Sequence, residues 1–126
     1  MVMTVGALIA DLRCAIGADR VRADPFEMTL YDRDASTMRG SCAAVCLPAS
    51  TAEVSAVLRT CRSHDWPFVA RGSGTGLAGG AVPSGPKPPV VVVTTRMNRV
   101  LDVDVDNRLA WVEPGVINLD LSRAVA

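Results

Sequence analysis

The sequence has few aromatic residues, no excess of either charge and no long apolar run. Its 126 residues include two Trp, two Phe and one Tyr, so aliphatic side chains must form most of the core. Thirteen basic residues balance thirteen acidic ones. This argues against a nucleic-acid partner, because proteins that bind nucleic acids use an excess of Lys and Arg to contact the phosphates. No stretch approaches the roughly 18 apolar residues of a transmembrane helix, and the N-terminus lacks the basic start of a signal peptide. We therefore expect a soluble, cytoplasmic protein.

Cysteine and histidine are also scarce. The chain has four cysteines and one histidine: Cys14, Cys42, Cys46, Cys61 and His64. Cys42 and Cys46 are four residues apart, but a tetrahedral zinc site needs two further ligands, and the apolar run around Cys46 is typical of a buried thiol. Without a signal peptide, reduced thiols are expected rather than disulfides. We expect no metal site, and a surface or helix-end position for His64.

Hydrophobic periodicity predicts an α+β fold. The first half is expected to contain a helix over 5–16 between Thr4 and Gly17, a strand over 44–47, a helix started by the Ser50 and Glu53 capping box, and a strand over 67–70. The second half is expected to contain a central strand over 90–94, a hairpin over 101–112 and a helix capped by Asn118. The strand–helix–strand order over 44–70 predicts a small parallel unit. The Pro-rich stretch 83–89 is expected to be an exposed connection.

The chain contains a partial match to a dinucleotide-binding motif. Residues 74–79 fit the pattern GxGxxG directly after a predicted strand, but a Rossmann site needs a helix that begins inside this motif. The glycines and prolines of residues 79–86 exclude such a helix. No Lys followed by Ser or Thr completes a phosphate-binding P-loop either. The sequence therefore does not predict a Rossmann domain or a P-loop enzyme.

A second partial match imitates a calcium-binding EF-hand. Asp102, Asp104 and Asp106 alternate along the predicted hairpin, and Glu113 follows at the twelfth position. The glycine required at the sixth position is Asn107, and a Pro-Gly pair after Glu113 would stop the exiting helix. Aspartates on the solvent-exposed face of a hairpin explain this alternation better than a calcium site does.

Five glycines occur within residues 72–80, which we call the glycine loop. Glycine lets the backbone approach a ligand closely and adopt positive φ angles. Successive N–H groups in such a loop can bind an anion, with Ser73 and Thr75 as further donors. A diphosphate suits this arrangement, and a merely flexible surface loop is the alternative.

Five segments in order resemble a known family of flavoproteins. They read YDRDA at 31–35, LPASTAEV at 47–54, PFVARGSGTGLAGG at 67–80, RMNRV at 96–100 and VEPGV at 112–116. Together they resemble FAD-linked oxidases of the vanillyl-alcohol-oxidase or PCMH type, over about residues 30–126. Within that family the similarity is greatest to the group that contains glycolate oxidase, in its D-subunit, and the D-lactate and D-2-hydroxyglutarate dehydrogenases.

The resemblance implies a flavoprotein that oxidises a 2-hydroxy acid to a 2-oxo acid and passes electrons to a separate acceptor, which partner subunits could provide. It implies FAD-binding roles for Arg71, Gly72, Ser73, Gly74, Thr75, Gly76, Leu77, Gly80, Pro114 and Gly115. Some members attach the flavin through a histidine in this loop, and Thr75 stands at the corresponding position, so we expect non-covalent FAD. The implied organisation is an N-terminal helical and irregular segment over 1–40 and the first part of a PCMH-type FAD-binding domain over 41–126.

The chain departs from the family by ending before the second half of that domain and before the substrate-binding domain. The last predicted helix runs to Ala126 without a stop signal, so we expect a truncated product that is inactive alone. No catalytic residue is predicted. Two alternatives stay open: a free-standing nucleotide- or FAD-binding module that needs a partner chain, and a cell-wall precursor reductase. The full-length protein is expected in the cytoplasm, either free or peripheral to the inner membrane.

Overall fold

A computed structural model describes residues 4–126 of the chain. Within these residues there are four α-helices: α1 (Val5–Ile16), α2 (Pro25–Met28), α3 (Thr51–Ser63) and α4 (Asn118–Val125). There are six β-strands: β1 (Val21–Arg22), β2 (Ala44–Cys46), β3 (Phe68–Arg71), β4 (Val90–Val93), β5 (Val100–Asp104) and β6 (Leu109–Val112). The mixed α+β class predicted from the sequence is therefore confirmed.

The main sheet has four strands in the order β1-β2-β4-β3. Strands β2, β4 and β3 are parallel, with Val45 and Val69 both opposite Val91, and β1 is antiparallel to β2. The predicted strand–helix–strand unit is parallel as expected, but its two strands are not neighbours, because β4 lies between them. All four valines of β4 are buried, and a strand with two apolar faces is most stable where both of its edges are paired.

Helices α1 and α3 cover one face of this sheet. Leu8 and Leu12 of α1 and Val57 of α3 are fully buried, and they pack in one cluster with Val90 and Val92. Val21 of β1 belongs to the same cluster, so residues before position 40 help to form the core. The alternation of side chains along a strand sends Val91 to the opposite face, where it joins a smaller cluster.

The predicted helix ends agree with the structure at three of four positions. Thr4 accepts the N–H of Ala7, Gly17 follows α1 with a φ of 95°, and Ser50 accepts the N–H of Glu53. The prediction for Asn118 is wrong: it is the first residue of α4, and Ile117 precedes it without a side-chain cap. Its side chain therefore does not supply the N-cap hydrogen bond.

The hairpin β5–β6 forms a separate two-stranded sheet. Asp104 accepts the backbone N–H of Asn107 at 2.9 Å and so stabilises the hairpin turn. No group of three or more metal-ligating side chains occurs in residues 4–126. Large apolar residues of the hairpin are exposed, among them Leu101 and Trp111.

Across residues 4–126, no helix is both long and apolar enough to cross a membrane.

Candidate functional site

The two segments predicted to bind the cofactor lie at the same edge of the main sheet. The glycine loop leaves the sheet after Arg71 at the end of β3, and the N–H of Thr94, just after β4, donates to the Arg71 carbonyl at 3.0 Å. Gly115 packs against the other side of Thr94: a Cβ at Gly115 would stand 2.2 Å from the Thr94 carbonyl oxygen. The structure therefore brings together residues more than 40 positions apart in the sequence, at the carboxyl ends of two parallel strands.

Two glycines of the loop are required by the chain's own conformation. Gly74 and Gly79 both have a φ of 77°, which costs other L-residues roughly 1–2 kcal/mol. A Cβ at Gly74 would also lie 2.1 Å from the guanidinium of Arg71, and one at Gly79 would lie 2.5 Å from the sulfur of Met38. Both positions therefore stay glycine for reasons internal to the protein.

The other three glycines of the loop are not required in this way. A Cβ added to Gly72 or Gly80 would meet no atom within 4 Å, and one added to Gly76 would meet only Asp34, at 4.0 Å. None of the three has a positive φ. Nothing in the described part of the chain therefore prevents a Cβ at these positions.

Most amide groups of the loop have no hydrogen-bond partner among residues 4–126. Among residues 72–80 of the structure, only the N–H of Gly79 donates to another described group, the Asp34 carboxylate at 2.9 Å. Because the carbonyl of Arg71 faces β4 and a trans peptide sets C=O and the next N–H in opposite directions, the N–H of Gly72 points away from the sheet. Most of the residues with unpaired amides are exposed: Gly72, Ser73, Thr75, Gly76, Leu77, Ala78 and Gly80. Unpaired, accessible N–H groups in a short loop are suited to bind an anion.

The glycine loop rests on residues 31–36, which we call the support segment. The N–H of Ala35 donates to the carbonyl of Gly76 at 3.0 Å. The guanidinium of Arg71 donates to the carbonyl of Arg33 at 2.5 Å and lies over the ring of Tyr31, 5.6 Å from its centroid. The side chain of Arg71 is thus used to join the two segments.

Asp34 is the charged residue of the support segment that touches the loop. Its side chain is buried, and its two oxygens accept the N–H groups of Ser36 at 2.8 Å and Gly79 at 2.9 Å. Hydrogen bonds from Ser36, and then from Gly79, favour the charged form and hold the pKa of Asp34 below its ordinary value. The carboxylate is therefore ionised at neutral pH.

Neither Asp34 nor Thr94 was among the predicted site residues. Asp34 contacts a residue 45 positions away, and no local pattern indicates such a contact. The sequence Asp34-Ala35-Ser36 does predict the local contact between Asp34 and the N–H of Ser36, because aspartate often accepts the N–H two residues later in a turn. The similarity of residues 31–35 to a family motif also marked this segment, without assigning it a role.

The cysteines and the histidine lie elsewhere. All four cysteines are free, and burial raises the pKa of Cys46 to about 12. Of the two positions predicted for His64, the helix end is confirmed, because it is the C-cap of α3. It is 3% exposed, with Nε2 2.7 Å from a carboxylate oxygen of Asp11. Packing of α1 on α3 buries it.

The Pro-rich connection over 83–89 was expected to be exposed, but Pro83 and Pro89 are buried.

The profile of the "FAD binding domain" family matches residues 42–126 of the chain. That match includes the glycine loop and the segment around Gly115.

Two curated relatives are oxidoreductases. Glycolate oxidase subunit GlcD of Bacillus subtilis is 45% identical over 82 residues, which are 65% of this chain and 17% of the relative. D-lactate dehydrogenase of Archaeoglobus fulgidus is 44% identical over 69 residues, or 55% of this chain and 15% of the relative. The chain thus spans about a sixth of the length of these relatives.

Solved structures show the same fold. The chain matches 4-ethylphenol oxidase from Gulosibacter chungangensis with a TM-score of 0.85 and 31% identity, over 95% of this chain and 24% of that one. It matches p-cresol methylhydroxylase with a TM-score of 0.84 and 20% identity, over the same shares. The predicted PCMH-type architecture is therefore confirmed.

Proposed function

Because this chain belongs to the FAD binding domain family, we propose that its glycine loop holds the pyrophosphate of FAD. The chain is the FAD-binding domain portion of an oxidoreductase related to glycolate oxidase and D-lactate dehydrogenase. FAD is its cofactor, and when bound it supplies a flavin ring that accepts a hydride. The residues of this chain bind and orient the cofactor.

The observation that carries the proposal is the presence of glycines that the fold itself does not need. At Gly72 and Gly80 a Cβ would lie in open space, yet glycine in place of Ala costs roughly 0.4–1 kcal/mol through the entropy of the unfolded chain. Close approach by a group outside the chain explains this composition, because a Cβ would keep that group away from the backbone. The unpaired amides beside these glycines supply the donors that a diphosphate requires.

The residues proposed to hold FAD fall into two groups at the sheet edge. The first group comes from the loop: Arg71, Gly72, Ser73, Gly74, Thr75, Gly76, Leu77 and Gly80. The second is Pro114 and Gly115, of which Gly115 packs against Thr94, and Thr94 in turn donates its N–H to Arg71. Gly79 is not included, since its N–H already binds Asp34. We propose that FAD is bound non-covalently, because Thr75 offers no nucleophilic ring nitrogen to the flavin.

The activity of the longer protein is part of the proposal. Relatives with 44–45% identity are named glycolate oxidase and D-lactate dehydrogenase, which supports oxidation of a small 2-hydroxy acid to a 2-oxo acid. One relative is named as a subunit, which supports partner subunits that receive the electrons. Four free cysteines are in keeping with a cytoplasmic location.

We also propose the division into residues 1–40 and residues 41–126. The family match begins at residue 42, close to the proposed boundary. The first segment is not independent of the second, because Leu8 and Val21 pack into the common core and Asp34 binds the glycine loop. Residues 1–40 are best described as an N-terminal extension that completes the domain.

The experiment is a calorimetric titration of the 126-residue chain with FAD, ADP and riboflavin. Both FAD and ADP carry a diphosphate, whereas riboflavin carries no phosphate. We expect FAD and ADP to bind with dissociation constants above about 1 μM, which corresponds to about −8 kcal/mol, and riboflavin to bind much more weakly. The chain should not reduce a dye in the presence of glycolate or D-lactate. Riboflavin binding as strong as that of FAD, with no binding of ADP, would contradict the pyrophosphate role.

A further inference from the structure

Three hydrogen bonds attach the glycine loop and Arg71, the residue before it, to the support segment. Arg71 donates to the Arg33 carbonyl at 2.5 Å, Ala35 donates to the Gly76 carbonyl at 3.0 Å, and Gly79 donates to the Asp34 carboxylate at 2.9 Å. The first contact lies before the loop, the second at its middle and the third near its end. A loop with five glycines would otherwise have a large conformational entropy.

The contact at Gly76 sets the direction of a neighbouring amide. In a trans peptide the carbonyl of one residue and the N–H of the next point in opposite directions. Because the Gly76 carbonyl faces the support segment, the N–H of Leu77 faces away from it. The same reasoning places the carbonyl of Ala78 on the outer side, since the N–H of Gly79 faces Asp34. The N–H of Leu77 therefore belongs to the part of the loop that can bind an anion.

The contact at Gly79, like that of Arg71, involves a charged group. Asp34 is a buried carboxylate, and both of its oxygens are bound by backbone amides. Hydrogen bonds to a charged group contribute roughly twice as much as neutral ones. Loss of this contact would release the end of the loop and, through it, the peptide that directs Leu77.

We propose that Asp34 is a positioning residue that fixes the glycine loop in its FAD-binding conformation, an inference that rests on the proposed function. Asp34 does not touch the cofactor in this account. It acts by holding Gly79, so that the loop is already ordered before FAD arrives. An ordered loop loses less entropy on binding, and preorganisation of this kind increases affinity.

The test compares Asp34→Asn with a matched control, Asp24→Asn. An asparagine at position 34 has nearly the same size, but its single carbonyl oxygen replaces the two carboxylate oxygens that accept separate amides. Asp24, at the start of α2, also accepts two backbone amides, those of Phe26 and Glu27 at 2.9 and 3.1 Å, but both through its Oδ1. An asparagine there can keep both contacts, so the control removes the same charge without removing an amide contact.

The first readout is NMR of the chain without FAD. In the wild type, the amide proton shift of Gly79 should follow the ionisation of Asp34 as the pH is lowered through the acid range. This measurement needs no variant, so it remains decisive even if Asp34→Asn folds poorly. In Asp34→Asn the shift should become independent of pH, and residues 72–78 should become more mobile on the nanosecond timescale. Asp24→Asn should behave as the wild type.

The second readout is FAD affinity, followed by the same NMR signals. Asp34→Asn should bind FAD roughly tenfold more weakly or worse, since hydrogen bonds to charged groups contribute about one to two factors of ten. Asp24→Asn should stay within about twofold of the wild type. A Gly79 signal insensitive to Asp34 ionisation, or equal FAD affinity in the two variants, would overturn the positioning role. A wild type with an intact Asp34–Gly79 contact but no FAD binding would instead overturn the proposed function.

Discussion

Alanine substitutions in the glycine loop should separate folding from cofactor binding. Gly79 has a φ of 77° and packs against Met38. Gly79→Ala should therefore lower the free energy of unfolding by about 1–2 kcal/mol, the cost of the left-handed conformation for an L-residue. The flexible Met38 side chain can move aside, so we add no large steric penalty.

Gly72→Ala should show the opposite behaviour. The new Cβ meets no atom within 4 Å and the φ is not positive, so stability should be unchanged or higher by about 0.4–1 kcal/mol, because Ala restricts the unfolded chain. FAD affinity should nevertheless fall about tenfold or more, since the Cβ would hold the phosphates away from the amide and a lost charged hydrogen bond corresponds to roughly 1.5–3 kcal/mol.

The two variants are compared by urea unfolding and by FAD titration under the same conditions. Met38→Ala added to Gly79→Ala removes the side chain nearest to the new Cβ and so reduces the steric contribution. If Gly72→Ala lost as much stability as Gly79→Ala while FAD affinity stayed unchanged, Gly72 would be needed for the fold. The proposed role of Gly72 in FAD binding would then be contradicted.

Three further predictions concern the rest of the domain. Leu12→Ala, at a fully buried position, should lower the unfolding free energy by about 2–5 kcal/mol, measured as a lower urea midpoint. The pKa of Glu53 is lowered by the N–H of Ala49 and then by the guanidinium of Arg20. The ionised side chain therefore stabilises the fold at neutral pH, and this contribution is lost as the pH falls below about 4. Glu53→Gln should flatten the acid unfolding curve in that range, and equal slopes for the variant and the wild type would contradict this. Iodoacetamide followed by mass spectrometry should modify exposed Cys14 in the native protein but buried Cys46, whose pKa is raised to about 12, only after unfolding.

Local patterns predicted most of the elements. Thr4 and Gly17 bound α1 as expected, and the β-branched run that contains β4 lies in the centre of the sheet. These features follow from capping groups, backbone conformation and burial, which act over a few residues. The glycine loop and its lack of a following helix could be read in the same way.

Long-range contacts could not be read from local patterns. The position of β4 between β2 and β3 depends on pairings of Val91 with Val45 and Val69, which lie more than 20 residues before it in the sequence. The side chain of His64 contacts Asp11, which is 53 residues away. Glu53 binds the N–H of Ala49 instead of completing the predicted capping box at Ser50, because the chain before α3 turns towards it.

The support of the glycine loop belongs to the same class of contact. Asp34 lies in a segment whose resemblance to a family motif was visible, but its partner Gly79 is set by the tertiary fold. The candidate site was therefore predictable as a glycine-rich, anion-binding loop. The residues that orient it were not.

The most direct measurement is an amide NMR titration of the chain with ADP, which carries a diphosphate but no flavin. If residues 72–77 hold the pyrophosphate, their amide signals should shift together and saturate with one dissociation constant, while those of the exposed β5–β6 hairpin stay in place. Shifts confined to the hairpin, or spread evenly over the surface with no change in residues 72–77, would contradict the assignment.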